Sequence, residues 1–317
     1  MKQRRFESYL SRDLEHFLCQ KRALGHAYQR AEFTLRRFDR SVAQSAQRRQ
    51  DRDLGRVVNL WLASFRGCKR GTVAHELSVV RQFCRFRRRR DPEGFIPGTD
   101  YVSPSKGPRF LPYIFSGDDI CLLLRMTSSL RGPRFRALTF RHLLLVLYCT
   151  GLRLGEALRL RIHDCDLRAR TFFIPHSKRR SRWVPFDKDL GRELHRYLDV
   201  RQRIQPCSTQ HPVFVQPNGR PYSTTVASGV MRRLLRKAGL KPAAGRVGPR
   251  PYDTRHTFAV ERLTRWYRQG VDLHERLPWL SVYMGHASIL GTEVYLHVTP
   301  ELLELAGRRF ATHVGRQ

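Results

Sequence analysis

A mainly α-helical fold with a small antiparallel β-sheet is what this sequence predicts, divided into a helical bundle and a mixed α/β domain. Three observations carry the prediction. Apolar residues recur with helical period before residue 90, a proline- and glycine-rich break follows, and one pair of short strand-like runs interrupts an otherwise helical second half. At 317 residues the chain is long enough for two domains, each burying its own core.

In the first domain, residues 1–90, Phe6, Leu10, Leu14, Phe17 and Leu18 share one helical face, and Gly25 supplies a stop. Phe33, Leu35, Phe38 and Val42 form a second stripe. Asp53 is placed to cap a third helix with Val57, Val58, Leu60, Trp61 and Phe65 on it, closed by Gly67. Thr72 is placed to cap a fourth, bearing Val73, Leu77, Val80, Phe83 and Cys84. Four such helices make a small bundle.

Residues 91–115 contain Pro92, Pro97, Pro104, Pro108 and Pro112 with Gly94, Gly98 and Gly107, which sustain neither helix nor sheet, so this stretch reads as a linker. A second domain, 116–300, opens at Ser116-Gly117-Asp118-Asp119, a capping signal ahead of Ile120, Leu122, Leu123 and Leu124. A buried helix is expected over 136–151, two short strands over 171–174 and 182–184 joined by a basic turn, and helices over 187–203, 223–238 and 253–269. Residues 301–317 form a C-terminal helix and tail, in which Leu302, Leu303, Leu305 and Phe310 give the helix over 301–310 an apolar face.

Charge narrows the function. Sixty Lys and Arg against 27 Asp and Glu leave a formal +33, with a pI near 11.2. A hydrophobic fraction of 41% with 10% aromatics excludes a merely disordered basic tail. A folded, strongly basic chain binds a polyanion, and nucleic acid is the usual one; a generic RNA-binding protein is the reading that charge alone leaves standing. The run Arg85-Phe86-Arg87-Arg88-Arg89-Arg90 ends a helix just before the linker, where phosphate contact is expected of Arg85, Arg87, Arg88, Arg89 and Arg90. Seven cysteines form no C-x-x-C pair and are odd in number, so no disulfide framework is expected. His163, Cys165 and His176 lack a fourth ligand at usable spacing, and no metal is expected. The first residues lack the apolar stretch of a signal peptide, and the longest apolar run, 143–150, is far short of a membrane span. A cytoplasmic, nucleoid-associated protein without membrane contact is expected.

The chemistry lies in four short motifs. Arg153 stands in Thr150-Gly151-Leu152-Arg153-Leu154-Gly155-Glu156, at the start of a helix that Leu154, Ala157, Leu158 and Leu160 should bury. There a guanidinium and helix-start amides can converge on one phosphate, and Glu156, three residues on, can fix the guanidinium or another basic group. Arg255 stands in Tyr252-Asp253-Thr254-Arg255-His256-Thr257-Phe258-Ala259, where Tyr252, Arg255 and His256 share a helical edge. His286 follows Gly285, and Tyr295 comes nine residues after His286. A phenolate can attack a phosphodiester while fixed cations hold the charge developing on its oxygens.

Two arginines, a histidine and a tyrosine in this order resemble the tyrosine recombinase, or phage-integrase-like, family. The resemblance covers most of the chain and implies a DNA-binding helical domain followed by a tyrosine-recombinase catalytic domain. It implies cutting and rejoining of double-stranded DNA at specific sites through a 3′-phosphotyrosine link, needing neither ATP nor cofactor nor metal. Tyr295 is then the nucleophile, and Arg153, Arg255 and His286 stabilise the transition state. Lys178, in His176-Ser177-Lys178-Arg179-Arg180-Ser181-Arg182, protonates the leaving 5′-oxygen, a task lysine performs more readily than arginine, while Arg179 and Arg180 contact DNA. The sequence departs from the family where Tyr252 fills the first position of an H-x-x-R motif. A phenol donates a hydrogen bond but, with a pKa of about 10, is a poor base at neutral pH. His256 is expected to support the site or to sit in the core. The resemblance further implies a DNA-bound dimer or tetramer in which the C-terminal helix docks on a neighbouring protomer, and leaves room for a partner recombinase or accessory factor. Competing readings are a type IB topoisomerase-like relaxing enzyme and a non-catalytic DNA-binding protein of the same fold.

Overall fold

The computed structural model describes residues 6–47, 53–98, 101, 111–177, 180–204, 206, 208–245, 247–286 and 288–297, with 303–305, 307, 308 and 311 beyond them. It divides into two compact units, 1–109 and 110–317.

The first unit holds α1 (Ser11–Ala23), α2 (Gln29–Gln47), α3 (Leu54–Ala63) and α4 (Arg70–Arg87). Leu14, Phe17, Leu35, Phe38, Val57, Val58, Trp61, Leu77, Val80 and Phe83 build its core. Asp53 caps α3 as its side chain implies, accepting from Gly55 N–H at 2.8 Å. Two expectations need correction. Phe33 is 72% exposed and Leu60 also faces outward, because in both helices neighbouring residues of the stripe already fill the core. Helix α4 begins two residues before Thr72, with Lys69 at its N-cap and no side-chain cap. Phe95, Ile96 and Tyr101 from the proline-rich stretch pack on this core, while at its other end Phe115 is buried in the second unit.

The second unit holds α5 (Gly117–Met126), α6 (Arg134–Thr150), α7 (Leu154–Arg159), β1 (Cys165–Asp166), β2 (Thr171–Ser177), β3 (Arg180–Pro185), α8 (Lys188–Ile204), α9 (Thr224–Lys237), α10 (Asp253–Arg268), α11 (Leu273–Met284) and α12 (Leu290–Glu293). Residues Val294–His297 continue α12 as a 3₁₀ turn. Ser116 and Asp119 form the capping box at α5. The sheet is antiparallel in the order β1-β2-β3, with Phe172 opposite Val184 and Ile174 opposite Arg182, and a register shift between Ile174 and Ser177. Strand β1 and helix α11 lie outside the sequence expectations. The buried residues Leu273, Leu277, Leu280 and Met284 do recur at helical spacing, but Pro278, which lies inside the helix, reads in sequence as a helix breaker and obscures that period. No helix among the described residues is long and apolar enough to cross a membrane.

Helix α6, packed against α8 and α10, is the central column of this unit. It ends at Gly151, which takes φ +61° and points its carbonyl toward α10. A smaller cluster of Phe258, Ala259, Leu263, Leu277, Leu280, Met284 and Tyr295 joins α10 to α11 and seats the last turn.

Candidate active site

Two segments far apart in sequence, one around Gly151–Arg153 and one from Met284 to Tyr295, converge on Arg255. Its side chain, on the first turn of α10, is 1% exposed. Nη1 donates to Gly151 O at 2.7 Å, and Nη2 donates to Met284 O at 2.5 Å and to His286 Nε2 at 3.0 Å. Desolvation, then the nearby Arg153 charge, lowers its pKa. Its Nε is buried with no hydrogen-bond partner, an orphan donor inside the cluster. A guanidinium so deeply placed remains charged, and an anion's oxygen is the natural complement to that donor.

Arg153 caps α7. Its backbone N–H donates to Glu156 Oε2 at 3.0 Å, Nη1 to Glu156 Oε1 at 2.7 Å, and Nη2 to Gly285 O at 3.1 Å. The expected Arg153–Glu156 pairing is thus present, and Glu156 is buried. His286 follows the left-handed turn at Gly285. Because Nε2 accepts from the cationic Arg255, Nδ1 is left to donate to Thr292 Oγ1, 2.7 Å away and fully buried. In this tautomer His286 is therefore an acceptor at Nε2; donation to a phosphate oxygen from Nε2 requires the other tautomer, with Arg255 turned away and Nδ1 accepting from the Thr292 hydroxyl.

Tyr295 lies in the 3₁₀ turn, 2% exposed, with its ring 6.2 Å from that of His286 and 5.4 Å from that of His256. Burial raises its pKa, opposed by the adjacent Arg255 and more weakly by Arg153. The resting phenol is protonated. Tyr252 stands at the N-cap of α10, 42% exposed, its ring 5.0 Å from His256. Burial also lowers the pKa of His256, partly offset by Asp253, and its Nδ1 is buried without a partner. The His256 imidazole thus sits edge-on between two phenols and is neutral at ordinary pH.

An open groove of about 600 Å³ runs past Arg153, Thr224, Ser228, Arg232, Arg250 and Tyr252. Cations and hydroxyls on such a groove suit a phosphate backbone. Lys178 and Arg179 lie outside the described residues; Arg180 begins β3, paired with Ser177 across the hairpin, and its side chain likewise lies outside the description. In the first unit, Arg85, Arg88, Arg89 and Arg90 are exposed, but Arg87 is half-buried and donates to Asp13 at 3.0 Å. Arg88 donates through Nε to Pro92 O at 2.7 Å. The basic run is thus partly engaged within its own unit. At the C-terminus Leu303 is exposed and Arg308 pairs with Glu304, while Leu302 and Phe310 lie outside the described residues.

Two residues of the cluster escaped the sequence reading. Thr292, which orients His286, carries no local signal. Arg182 does: on β3 it shares the inward face with Val184 while Trp183 points out, and an arginine in the buried register demands a buried partner.

Comparison with known proteins shows the family. The phage integrase family profile matches residues 119–301. A putative integrase/recombinase of Sinorhizobium fredii, y4rB, is 32% identical over 310 residues, covering 93% of this chain and 95% of that protein. The tyrosine recombinase XerC of Staphylococcus carnosus is 26% identical over 238 residues, 75% of this chain and 74% of XerC. Among solved structures, the Tn1549 transposon integrase in complex with transposon right-end DNA shares the fold, with a TM-score of 0.66 at 17% identity, covering 94% of this chain and 99% of that one. The chain belongs to the phage integrase family of tyrosine recombinases.

Proposed function

We propose that this enzyme cuts and rejoins double-stranded DNA at specific sites, with Tyr295 as nucleophile and a 3′-phosphotyrosine link as intermediate. The observation that carries the reading is the convergence of half-buried Arg153 and His286 with buried Arg255 and Tyr295, with an orphan guanidinium donor at its centre. Tyr295 Oη attacks the phosphorus and loses its proton, for which His256 is the neutral imidazole alongside. The 5′-oxygen departs with a proton from Lys178. Arg153 and Arg255 hold the charge that builds on the non-bridging oxygens, and His286 donates to one of them once Arg255 has turned to the phosphate and the imidazole has moved its proton from Nδ1 to Nε2, Nδ1 then accepting from the Thr292 hydroxyl. Tyr252, exposed on the groove, donates a further hydrogen bond from the first position of the H-x-x-R pattern. A 5′-hydroxyl of a partner duplex then reverses the attack, and the bond energy is retained in the covalent link throughout.

The first unit, with Arg85, Arg88, Arg89 and Arg90 exposed, supplies sequence-independent phosphate contacts that help hold the duplex. Exchange between duplexes requires two or more protomers on DNA, and the C-terminal segment is the candidate for contact between them.

The test is covalent trapping. A duplex chosen by binding selection from a random pool, nicked so that the short fragment released with a free 5′-hydroxyl diffuses away, should accumulate an adduct with the parent protein and none with Tyr295→Phe at unchanged affinity. A phosphopeptide mapping to another tyrosine would reassign the nucleophile. Efficient relaxation of supercoiled plasmid without strand exchange would turn the reading to a topoisomerase.

A further inference from the structure

The turn carrying His286 is held in an unusual way. Helix α11 ends at Met284, and its last carbonyls have no partner within the helix. Three successive carbonyls there each receive a different guanidinium. Tyr283 O accepts from Arg182 Nε at 2.7 Å, Met284 O from Arg255 Nη2 at 2.5 Å, and Gly285 O from Arg153 Nη2 at 3.1 Å. Cations at a helix C-terminus are favoured by its dipole. Two of these arginines face the reacting phosphate in the reading above, and the third does not. Arg182 lies behind them on β3, its side chain 7% exposed.

Arg182 also grips Glu156. Its Nη2 donates to Glu156 Oε2 at 2.9 Å and its Nη1 to Oε1 at 3.4 Å, opposite the two bonds that Arg153 makes to the same carboxylate. One buried carboxylate thus stands between two guanidiniums. With Arg182 absent, Glu156 would lose the two bonds from that guanidinium and draw harder on Arg153, pulling it inward and offsetting more of its charge. The guanidinium further lies flat on Gly285: a Cβ there would meet Arg182 Nη1 at 2.7 Å and Cζ at 2.9 Å. The His286 turn is shaped to admit this arginine.

We propose that Arg182 is a positioning residue for strand cleavage, holding Glu156 and the end of α11 so that Arg153 keeps its charge for the phosphate and His286 keeps its place. This rests on the assignment of Arg153 and His286 to the scissile phosphate under Proposed function. Arg182 itself touches no substrate atom.

The experiment compares two substrates on the full-length protein: the selected duplex with a normal phosphodiester at the mapped cleavage point, and the same duplex with an uncharged methylphosphonate there. Arg182→Ala should slow adduct formation on the phosphodiester by about 10²- to 10³-fold, on the scale of a lost transition-state donor. Its loss on the methylphosphonate should be under about tenfold, because no second anionic oxygen then needs Arg153. DNA affinity should stay within about threefold. Arg182→Lys, which keeps charge but not the forked geometry, should fall between. Gly285→Ala, whose Cβ displaces the same guanidinium, should reproduce the substrate dependence, and covers the case in which Arg182→Ala fails to fold. Equal losses on both substrates, or parental rates on both, would overturn the proposal. A parent protein that forms no adduct on any selected duplex would instead overturn the strand-transfer reading itself.

Discussion

Gly151 joins the scaffold to the chemistry, and replacing it with alanine tests both. It ends α6 at φ +61°, a conformation that costs an L-residue with a Cβ about 1–2 kcal/mol. The added Cβ would lie 2.6 Å from Phe258 Cδ1, 2.9 Å from Cγ and 3.2 Å from Cβ. The first two belong to a buried ring on α10, stacked on Tyr283 at 5.3 Å, and the third to the methylene that ties it to the backbone, so they cannot swing aside as a flexible chain end would. Overpacking of this kind adds about 1–3 kcal/mol. The sum, about 2–5 kcal/mol, corresponds to a fall of about 4–20 °C in the unfolding temperature of a unit spanning residues 110–317. Because Gly151 O holds Arg255 Nη1 at 2.7 Å, relief of the clash by backbone shift should also reduce cleavage. Calorimetric unfolding of Gly151→Ala in parental and Phe258→Ala backgrounds separates the terms. With the ring gone the backbone cost, about 1–2 kcal/mol, should remain together with the milder contact to the retained Cβ at 3.2 Å, so the destabilisation should be clearly smaller. Equal destabilisation in both backgrounds, or a shift below about 2 °C in the parent, would refute this account of the Gly151 turn.

Tyr252→Phe should slow cleavage by the worth of one hydrogen bond to a charged group, about 1.5–3 kcal/mol, whereas Tyr252→His should retain substantial activity because imidazole also donates; cleavage by Tyr252→Phe at the parental rate would show that the phenol only packs. Log affinity for duplex DNA should fall with log salt at about −0.9 per phosphate neutralised, and joint replacement of Arg85, Arg88, Arg89 and Arg90 by alanine should make that slope shallower for all sequences alike. Arg87→Ala should act differently, lowering the stability of the first unit through loss of its bond to Asp13, measurable as a lower denaturant midpoint. Acid should destabilise the second unit in a particular window. Burial lowers the pKa of His142 and of His256, so the unfolded chain binds more protons than the native one below the ordinary histidine value of about 6.5. Stability is therefore fully present above that pH and is lost as pH falls through it. Unfolding temperatures measured from pH 8 to 5 should show the decline, and His142→Phe should lessen it.

Local physics made much of this protein legible in its sequence. Asp53 and Ser116 announce helix starts because their side chains satisfy amides only a few residues away, and Gly151 announces a stop because a left-handed residue is needed there. The spacing of His286 and Tyr295 survives into the fold because both lie on one short turn-rich segment that packs against α10. The charge of the whole chain likewise needs no structure to point toward a polyanion. What tertiary structure alone decided is how charges are shared. No local rule tells that Arg87 is taken up by Asp13, 74 residues away, while Arg85 remains exposed. Nor could sequence place Arg182, Arg255 and Arg153 on three successive carbonyls of one helix end, since those hydrogen bonds join residues between 29 and 132 positions apart. A guanidinium looks the same in sequence whether water, a carboxylate or a carbonyl receives it. Only the folded chain selects the acceptor, because burial makes every unpaired charge costly enough to be assigned a partner.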